Sequence, residues 1–345
     1  MNPRENLVAA LEGENPDWIP LTINEEFLTK DPEWPGLLSA GLCRVSCGGT
    51  WRRTVTEGIE TRNAPDVWQG KSAVRQITTT PAGEISRLLV DGWVQEYYLK
   101  EPADYRVMEY IVRHTRLEPD RENRNRFRQK EEEMGSQGIT LLAPGRSPMQ
   151  TILVDYVGLE NFAYHLSEGF PEIQALYDAL LDNLVRTCEI AAAGPGRYVQ
   201  LLENLTAESW GPKRFAEFHL PVYEKILPIL HAGGKKVYVH YDGRLACLAE
   251  LIGRTQIDGI ESLTMPPEGD LTYTEARNAW PDKFLWANIR VSDYLLQTEQ
   301  LRKQIRNLTD QAAPDRRLLA FEISEDRPEN WRESIPAVLE TLKDL

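Results

Sequence analysis

The sequence predicts an α/β protein, a (β/α)8 TIM barrel with an antiparallel hairpin insertion in its N-terminal third. Short apolar, β-branched or aromatic runs alternate with longer segments of helical period through the second half of the chain. Such repetition implies parallel strands with right-handed crossovers, which fits either an open doubly wound sheet or a closed barrel. Three further runs in the first half bring the candidate strands to about eight, which favours the closed barrel.

The candidate strands fall into two groups along the chain. In the second half they are expected at Tyr198–Glu203, Lys236–Tyr241, Gly259–Leu263, Phe284–Ile289 and Leu318–Ile323. Helices are expected between and after them, at about 212–232, 244–253, 272–280, 292–308 and 331–343. In the first half, strands are expected at Ile19–Ile23, Leu42–Cys47 and Ile139–Ala143.

The stretch of about 51–135 interrupts this rhythm. Residues of about 51–100 alternate in polarity, which is typical of antiparallel hairpins, and 118–133 form a dense run of mixed charge that predicts a solvated helix face. We therefore expect a single barrel domain over 1–345 that carries an insertion at about 51–135.

Composition and charge narrow the functional classes. With 39 Lys and Arg against 53 Asp and Glu, the formal net charge is −14, which disfavours binding to nucleic acid or anionic membranes. The first residues lack the apolar run of a signal peptide, and no run of about 18 apolar residues predicts a membrane span. Four cysteines are too few for a disulfide framework in a chain of this length. A cytoplasmic enzyme with a small-molecule substrate is the expectation.

Candidate site residues follow from the barrel itself, because chemistry in this fold lies where strands end and loops begin. Carboxylates and one imidazole occur at several predicted strand ends and should meet in one pocket. The catalytic candidates are Glu203 and His240, and the metal candidates are His240, Asp242 and Glu322. The substrate-binding candidates are Arg146, Asn204, Asn288 and Arg290, with Asn24, Glu25, Glu26 and Glu261 also near strand ends.

A divalent cation would explain how so many carboxylates share one pocket, since they repel each other unless a cation or protons intervene. His240 and Asp242 are two residues apart on an extended segment, so both side chains should leave the same side of the strand. Glu203 would be a fourth ligand or a general base. One imidazole with several carboxylates suits zinc, manganese or ferrous iron better than magnesium.

Each candidate also has a purely structural interpretation. A strand-end histidine such as His240 is often only a hydrogen-bonded structural residue. Glu203 could cap a helix or pair with an arginine, and Glu261 could be a structural ion-pair partner. Arg146 could bind an anionic group of the substrate or form a salt bridge. The joint arrangement is therefore more informative than any one member.

Other chemistry-bearing motifs are weak or missing from the sequence. It contains no Gly-x-Gly-x-x-Gly or phosphate-loop pattern and no Gly-x-Ser-x-Gly elbow. Cys43 and Cys47 are four residues apart without a second pair, which disfavours a zinc knuckle.

Several short motifs, in order, resemble the uroporphyrinogen decarboxylase-like superfamily. They are Arg4-Glu5-Asn6 to Pro20, then Gly211-Pro212-Lys213-Arg214-Phe215 through Pro221, His231 and Gly233-Gly234 to Gly243, then Trp286–Ile289 and Pro328-Glu329-Asn330. The resemblance covers most of the chain, and residues 198–332 best. It implies a (β/α)8 barrel and one of two activities, porphyrinogen decarboxylation or zinc-dependent methyl transfer linked to a corrinoid.

The resemblance is closer to the methyltransferase branch than to the true decarboxylases. The decarboxylases carry an arginine-rich stretch near the N-terminus, but this chain has Asn24-Glu25-Glu26-Phe27 after its first strand. The methyltransferases hold zinc with a His-x-Cys and a later Cys, and the matching positions here are His240, Asp242 and Glu322. The histidine is kept, and carboxylates replace both thiolates.

These considerations leave three functional hypotheses. The first is a metal-dependent methyltransferase, with zinc as the first choice of ion, possible transfer to or from a corrinoid on a partner protein, and homodimerisation as the family suggests. The second is a metal-independent lyase that uses Arg146, Arg290 and His240. The third is a binding protein without catalysis on a barrel scaffold, because fold alone does not establish activity.

Overall fold

The structure, a computed structural model, describes residues 1–324 and 329–345. Pro328, the first residue of one motif named above, lies outside the described residues. The described chain divides into two compact units. The first contains Met1–Thr50, Glu122–Pro144 and Ala191–Leu345, and the second contains Trp51–Arg121 and Gly145–Ile190.

The described residues contain fourteen strands, numbered along the chain, and eight of them form the predicted closed barrel. They are β1 (Leu21–Asn24), β2 (Cys43–Cys47), β3 (Arg52–Thr56), β4 (Glu60–Trp68), β5 (Lys71–Thr80), β6 (Gly83–Val90), β7 (Trp93–Glu96), β8 (Thr115–Pro119), β9 (Gly138–Gly145), β10 (Tyr198–Leu201), β11 (Lys236–His240), β12 (Gly259–Leu263), β13 (Phe284–Asn288) and β14 (Leu319–Ile323). The barrel closes in the order β1-β14-β13-β12-β11-β10-β9-β2 with parallel neighbours. The (β/α)8 fold expected from the sequence is therefore confirmed.

The α-helices alternate with the barrel strands through the second half of the chain, as the sequence predicts. They are α1 (Pro3–Glu12), α2 (Trp34–Ser39), α3 (Pro102–Arg113), α4 (Arg121–Met134), α5 (Pro148–Thr151), α6 (Leu159–Glu168), α7 (Glu172–Ala192), α8 (Ala207–Phe218), α9 (Leu220–Ala232), α10 (Ala249–Arg254), α11 (Tyr273–Ala279), α12 (Val291–Tyr294), α13 (Thr298–Ala312) and α14 (Trp331–Lys343). In the described part of the chain, no helix has both the length and the apolar character of a membrane span.

Two predicted helices are each divided in the structure. The single helix expected at 212–232 is α8 followed by α9, because Pro221 lies in the first turn of α9, where the missing amide hydrogen is tolerated. Within α8, Gly211 adopts a φ of 60°, a left-handed conformation that glycine accepts without steric cost. The helix expected at 292–308 is likewise α12 followed by α13.

The barrel core consists of side chains that alternate along the strands and point inward. On β2 they are Cys43 and Val45, and on β13 they are Phe284 and Trp286, all of them buried. Leu7, Ala10 and Leu11 of α1 join the same cluster, which includes Tyr198 and Phe284, the first residues of their strands. Helix α1 therefore closes the N-terminal end of the barrel, and the C-terminal ends of the strands are left for function.

The second unit contains the antiparallel strands. Strands β4, β5, β6 and β7 form a four-stranded sheet of hairpins, and β3 pairs antiparallel with β8. The hairpins predicted at about 51–100 are present. The mixed-charge run of 118–133 falls mostly in α4, whose side chains are mostly exposed and whose residues from Glu122 on belong to the first unit. Residues 145–190 also belong to the second unit, although no local pattern in the sequence predicts that they group with the hairpins.

Candidate active site

A cavity of about 560 Å³ lies at the C-terminal ends of the barrel strands. Its position agrees with the general location of active sites in this fold. The side chains that surround it are mostly polar: Asn24, Glu26, Phe27, Cys47, Gln200, Leu202, Asn204, His240, Asp242, Glu261, Ser262, Asn288, Glu322, Ile323 and Ser324. Five of the predicted site residues therefore meet here, namely Asn204, His240, Asp242, Asn288 and Glu322.

The polar layer of the cavity results from the two-residue period of the strands. On β11 the buried Tyr238 points into the core, so His240 points the same way one step nearer the mouth. The same step leads from Trp286 to Asn288 on β13 and from Ala320 to Glu322 on β14. Each of these strands thus changes from apolar to polar at its last inward position.

His240 lies between two carboxylates. Its Nδ1 atom is 2.7 Å from Oε2 of Glu261, and its Nε2 atom is 3.5 Å from Oδ2 of Asp242. Burial opposes protonation of the ring, but the charge of Glu261 and the hydrogen bonds to both carboxylates raise the pKa of His240 to about 11. The side chain is therefore an imidazolium at neutral pH, with two N–H donors.

Glu322 is an uncharged carboxylic acid at neutral pH. Burial, reinforced by the negative charge of Glu261, raises the pKa of Glu322 to about 8, although His240 and hydrogen bonds from Ser262 act in the opposite direction. Ser262 has a φ of 64° and lies where the β12–β13 register shifts, so a β-bulge presents it to Glu322. The cavity therefore contains two proton donors, one cationic and one neutral.

Two residues that the sequence interpretation did not assign to the site, Gln200 and Cys47, extend the network of His240. Gln200 donates from Nε2 to Oε2 of Glu261 at 2.8 Å, and the thiol of Cys47 donates to Oε1 of Gln200 at 3.3 Å. A chain of hydrogen bonds therefore connects Cys47 on β2 with His240 on β11, by way of Gln200 on β10 and Glu261 on β12. Burial and the nearby charges of Glu261 and Glu26 raise the pKa of Cys47 to about 11, so this thiol is protonated.

The loops after β10 and β11 are held together at the rim. Nδ2 of Asn204 donates to Oδ2 of Asp242 at 3.3 Å, and the backbone amide of Asn204 donates to the backbone carbonyl of His240 at 3.0 Å. A side chain at Gly243 would meet Cβ of Thr206 at 2.3 Å, so glycine is required for this close approach. Burial would raise the pKa of Asp242, but hydrogen bonds from His240 and Asn204 hold it below its usual value.

Asn288 orients the end of the neighbouring strand. Its Nδ2 atom donates to Oγ of Ser262 and to Oγ1 of Thr264, each at 3.1 Å. The backbone carbonyl of Asn288 accepts a hydrogen bond of 2.5 Å from the hydroxyl of Tyr273. The amide side chain therefore supports the β12 bulge, and it lines the cavity as well.

Glu203 lies away from the cavity, contrary to the expectation for a catalytic group. Its side chain is fully buried and accepts a hydrogen bond of 3.2 Å from Tyr223 of α9, whose hydroxyl is 2.6 Å from that of Tyr241. Strand β10 ends at Leu201, and the amide of Glu203 bonds to the carbonyl of Leu201 at 2.9 Å. This tight turn interrupts the two-residue alternation, so extrapolation along the strand assigned Glu203 to the wrong side.

The two arginines predicted to bind substrate form ion pairs within their own units. Arg146 belongs to the second unit, where its guanidinium is 3.3 Å from Asp155. Arg290 donates two hydrogen bonds to Asp293, at 2.8 and 2.9 Å, and a third to the carbonyl of Pro266. Arg290, which shares a unit with the barrel mouth, does not line the cavity there.

The predicted metal ligands do not fit a metal ion in this arrangement. A metal needs a neutral imidazole with a free lone pair, whereas both nitrogens of His240 face carboxylates and carry protons at neutral pH. Over residues 1–324 and 329–345, no three His, Cys, Asp or Glu side chains form a group that could hold a metal ion. His240, Asp242 and Glu322 share the cavity, but as proton-bearing or hydrogen-bonded groups.

Comparison with known structures identifies similar folds at low sequence identity. A methyltransferase from Methanosarcina mazei is 12% identical, with a TM-score of 0.57 over 100% of this chain and 98% of that chain. A B12-independent methionine synthase from a Shewanella species is 10% identical, with a TM-score of 0.47 over 90% of this chain and 84% of that chain. No protein-family model matches the chain, and no curated protein matches it in sequence. The likeness to the M. mazei protein, which covers the whole of this chain, shows a shared fold.

Proposed function

We propose that this chain is a transferase that moves a methyl group with the help of an acid, and that the reaction takes place in the cavity at the mouth of the barrel. The observation that carries the proposal is the position of His240 between Glu261 and Asp242, in the same cavity as Glu322, which favours a proton on both His240 and Glu322. The reaction class is taken from the resemblance in sequence motifs and from the fold shared with a methyltransferase.

The acid would act on the leaving group. An acceptor attacks the methyl carbon with its electron pair, the bond from that carbon to a heteroatom breaks, and the heteroatom takes the Nε2 proton of His240. This proton is the available one, because Nε2 is 3.5 Å from Asp242 whereas Nδ1 is 2.7 Å from Glu261. Asp242 is 43% exposed in its side chain and can return a proton from solvent to the ring. General acid catalysis of this kind contributes a factor of roughly 10² to 10⁴ in rate.

The methyl acceptor or donor is not fixed by the residues of the cavity. A corrinoid carried by a partner protein remains our candidate for one of them, as the sequence resemblance implies. Zinc is not used in any step, because His240 would first have to lose a proton and its contact with a carboxylate. The acid takes over the activation of the leaving group that a Lewis-acidic metal would supply.

The lyase alternative receives less support from the site. Decarboxylation of a substrate with many carboxylates would need cations to bind them, and the arginines considered for that task pair with Asp155 and Asp293. The cavity instead presents the carboxylates of Glu26, Asp242 and Glu261, which repel anionic substrates.

The decisive experiment follows a labelled methyl group. Wild-type protein is incubated with ¹³C-methyl ethers, thioethers and amines, each with free reduced cobalamin or a thiol as acceptor. We expect transfer from at least one donor, and a loss of about 10²-fold or more in His240→Asn. His231→Asn is the matched control, because it removes another histidine–carboxylate contact: His231 of α9 is 2.9 Å from Asp258, which also accepts from the amide of Val237 near the start of β11. Carbon dioxide release from a porphyrinogen, or equal rates in the wild type and His240→Asn, would refute the proposal.

A further inference from the structure

A second, much smaller cavity lies directly beneath the first. Its volume is about 20 Å³, and it is lined by polar residues that also line the large cavity, among them Gln200, Glu261 and Glu322. Val45 and Trp286 of the apolar core form its lower part. The small cavity therefore lies between the polar mouth and the apolar interior of the barrel.

One polar atom at this position lacks a partner within the described chain. Oε1 of Glu322 is buried and accepts no hydrogen bond from any described residue. Leaving a buried acceptor unsatisfied costs about 1–3 kcal/mol, so such atoms usually bind an ordered water or a ligand. Thr22, which also lines the small cavity, already donates to the carbonyl of Phe321 and accepts from Trp286 at 2.8 Å.

We propose that the small cavity is a binding site for one ordered water molecule, which forms a hydrogen bond with Oε1 of Glu322 and connects this residue with the Gln200–Glu261–His240 network. A cavity holds a water when its volume is at least about 10–15 Å³ and two to four polar partners are present. The volume of about 20 Å³ meets the first condition with room for a single molecule, and the polar lining meets the second.

This water would set the proton affinity of Glu322. The charged or titratable groups that line the two cavities with Glu322 are Glu261 and His240, Cys47 on β2, and Glu26 and Asp242 at the rim. A hydrogen bond at Oε1 does not stabilise the neutral acid and the ionised carboxylate equally, so the loss of the water should change the pKa of Glu322. The inference stands whichever reaction the cavity performs.

The test combines crystallography with infrared titration. Val45→Ile adds a methylene group to the wall of the small cavity, and Val237→Ile is the matched control, because Val237 is a buried valine of β11 that does not line either cavity. In the wild type and in Val237→Ile we expect electron density for a water about 2.6–3.2 Å from Oε1 of Glu322. In Val45→Ile the water should be displaced.

The titration of the carboxyl stretching band, assigned by its loss in Glu322→Gln, gives the second measurement. We expect the pKa of Glu322 to shift by about one unit in Val45→Ile, a tenfold change in proton affinity, and to stay unchanged in Val237→Ile. If Val45→Ile does not fold, Glu322→Leu serves instead, and its cavity should be dry. A dry cavity in the wild type, or equal titration curves for the two valine variants, would overturn the inference. A bound water in a protein without methyl transfer would refute only the proposed function.

Discussion

Nδ1 of His240 lies 2.7 Å from Oε2 of Glu261, and the two residues are register partners on the neighbouring strands β11 and β12. The backbone ladder therefore fixes the ion pair, and no flexible loop lies between its members. Gln200 of β10, the strand next to β11, donates to the same carboxylate oxygen. A carboxylate held in this way stabilises the imidazolium and fixes the orientation of its ring.

This relationship predicts the effect of Glu261→Gln. Without the carboxylate beside Nδ1, the protonated ring loses its nearest opposite charge, so the pKa of His240 should fall by about 1–3 units. Titration of the imidazole by NMR measures the change. Glu250→Gln, which removes an exposed i,i+4 ion pair with Arg254, should leave the titration unaltered. If His240 titrates identically in the wild type and in Glu261→Gln, the pair does not control its protonation.

The raised pKa of Glu322 predicts a pH dependence of stability. The folded protein keeps this proton up to about pH 8, while the unfolded chain releases it near 4.5, so the folded state binds more protons between these values. The contribution of Glu322 is fully present below pH 4.5 and is lost as pH rises to about 8, at a slope of about 1.4 kcal/mol per pH unit.

Glu322→Gln should remove this slope, because an amide does not titrate. Urea unfolding at several values between pH 5 and 8 provides the free energies of unfolding for both proteins. The wild type should lose stability relative to Glu322→Gln as pH increases across the window. Parallel curves would mean that Glu322 titrates at an ordinary value in the folded protein. His240 contributes a similar slope to both proteins, so the difference between them isolates Glu322.

The fold followed from the sequence because its signals are local and repeated. Each barrel strand is a short apolar run between helical segments, and Gly259–Leu263 agrees with the prediction to the residue. The division into two units was not predicted, since the grouping of 145–190 with the hairpins depends on contacts between distant segments. Such contacts leave no pattern in the local sequence.

The site was only partly predictable for a related reason. His240 and Glu322 were found because they stand at strand ends, whereas Gln200 was missed although it is the inward residue after Tyr198. A polar residue in the inward register of a strand is the signal that could have found it. Glu203 was misassigned because a turn after Leu201 changes the direction of the side chains, and residue types alone do not specify this turn.

The buried position of Glu203 leads to a prediction about Tyr223. Tyr223→Phe removes the hydroxyl that donates to Oε1 of Glu203 and contacts Tyr241, so buried polar groups lose a partner. We expect a loss of about 1–3 kcal/mol in the free energy of unfolding, measured by urea denaturation. The KM for the methyl donor should stay the same, because Tyr223 does not line the large cavity. A large change in KM with unchanged stability would instead give this buried cluster a role in binding.

The position of His240 between two carboxylates leads to a last prediction, which concerns the removal of metal ions. An imidazolium with a pKa of about 11 has no free lone pair at neutral pH, so zinc would have to displace a proton and compete with both carboxylates. We therefore expect substoichiometric zinc by elemental analysis and full methyl transfer after dialysis against a chelator.

The chelation experiment distinguishes acid assistance from metal assistance through the same residue. If His240 acts as an acid, the chelated protein keeps its activity, and added zinc inhibits by taking the Nε2 position. If His240 is a ligand, the chelated protein is inactive, zinc restores it at about one ion per chain, and the histidine titration moves to low pH because metal competes with protons. The sign of the zinc effect on the rate therefore decides between these two roles of His240.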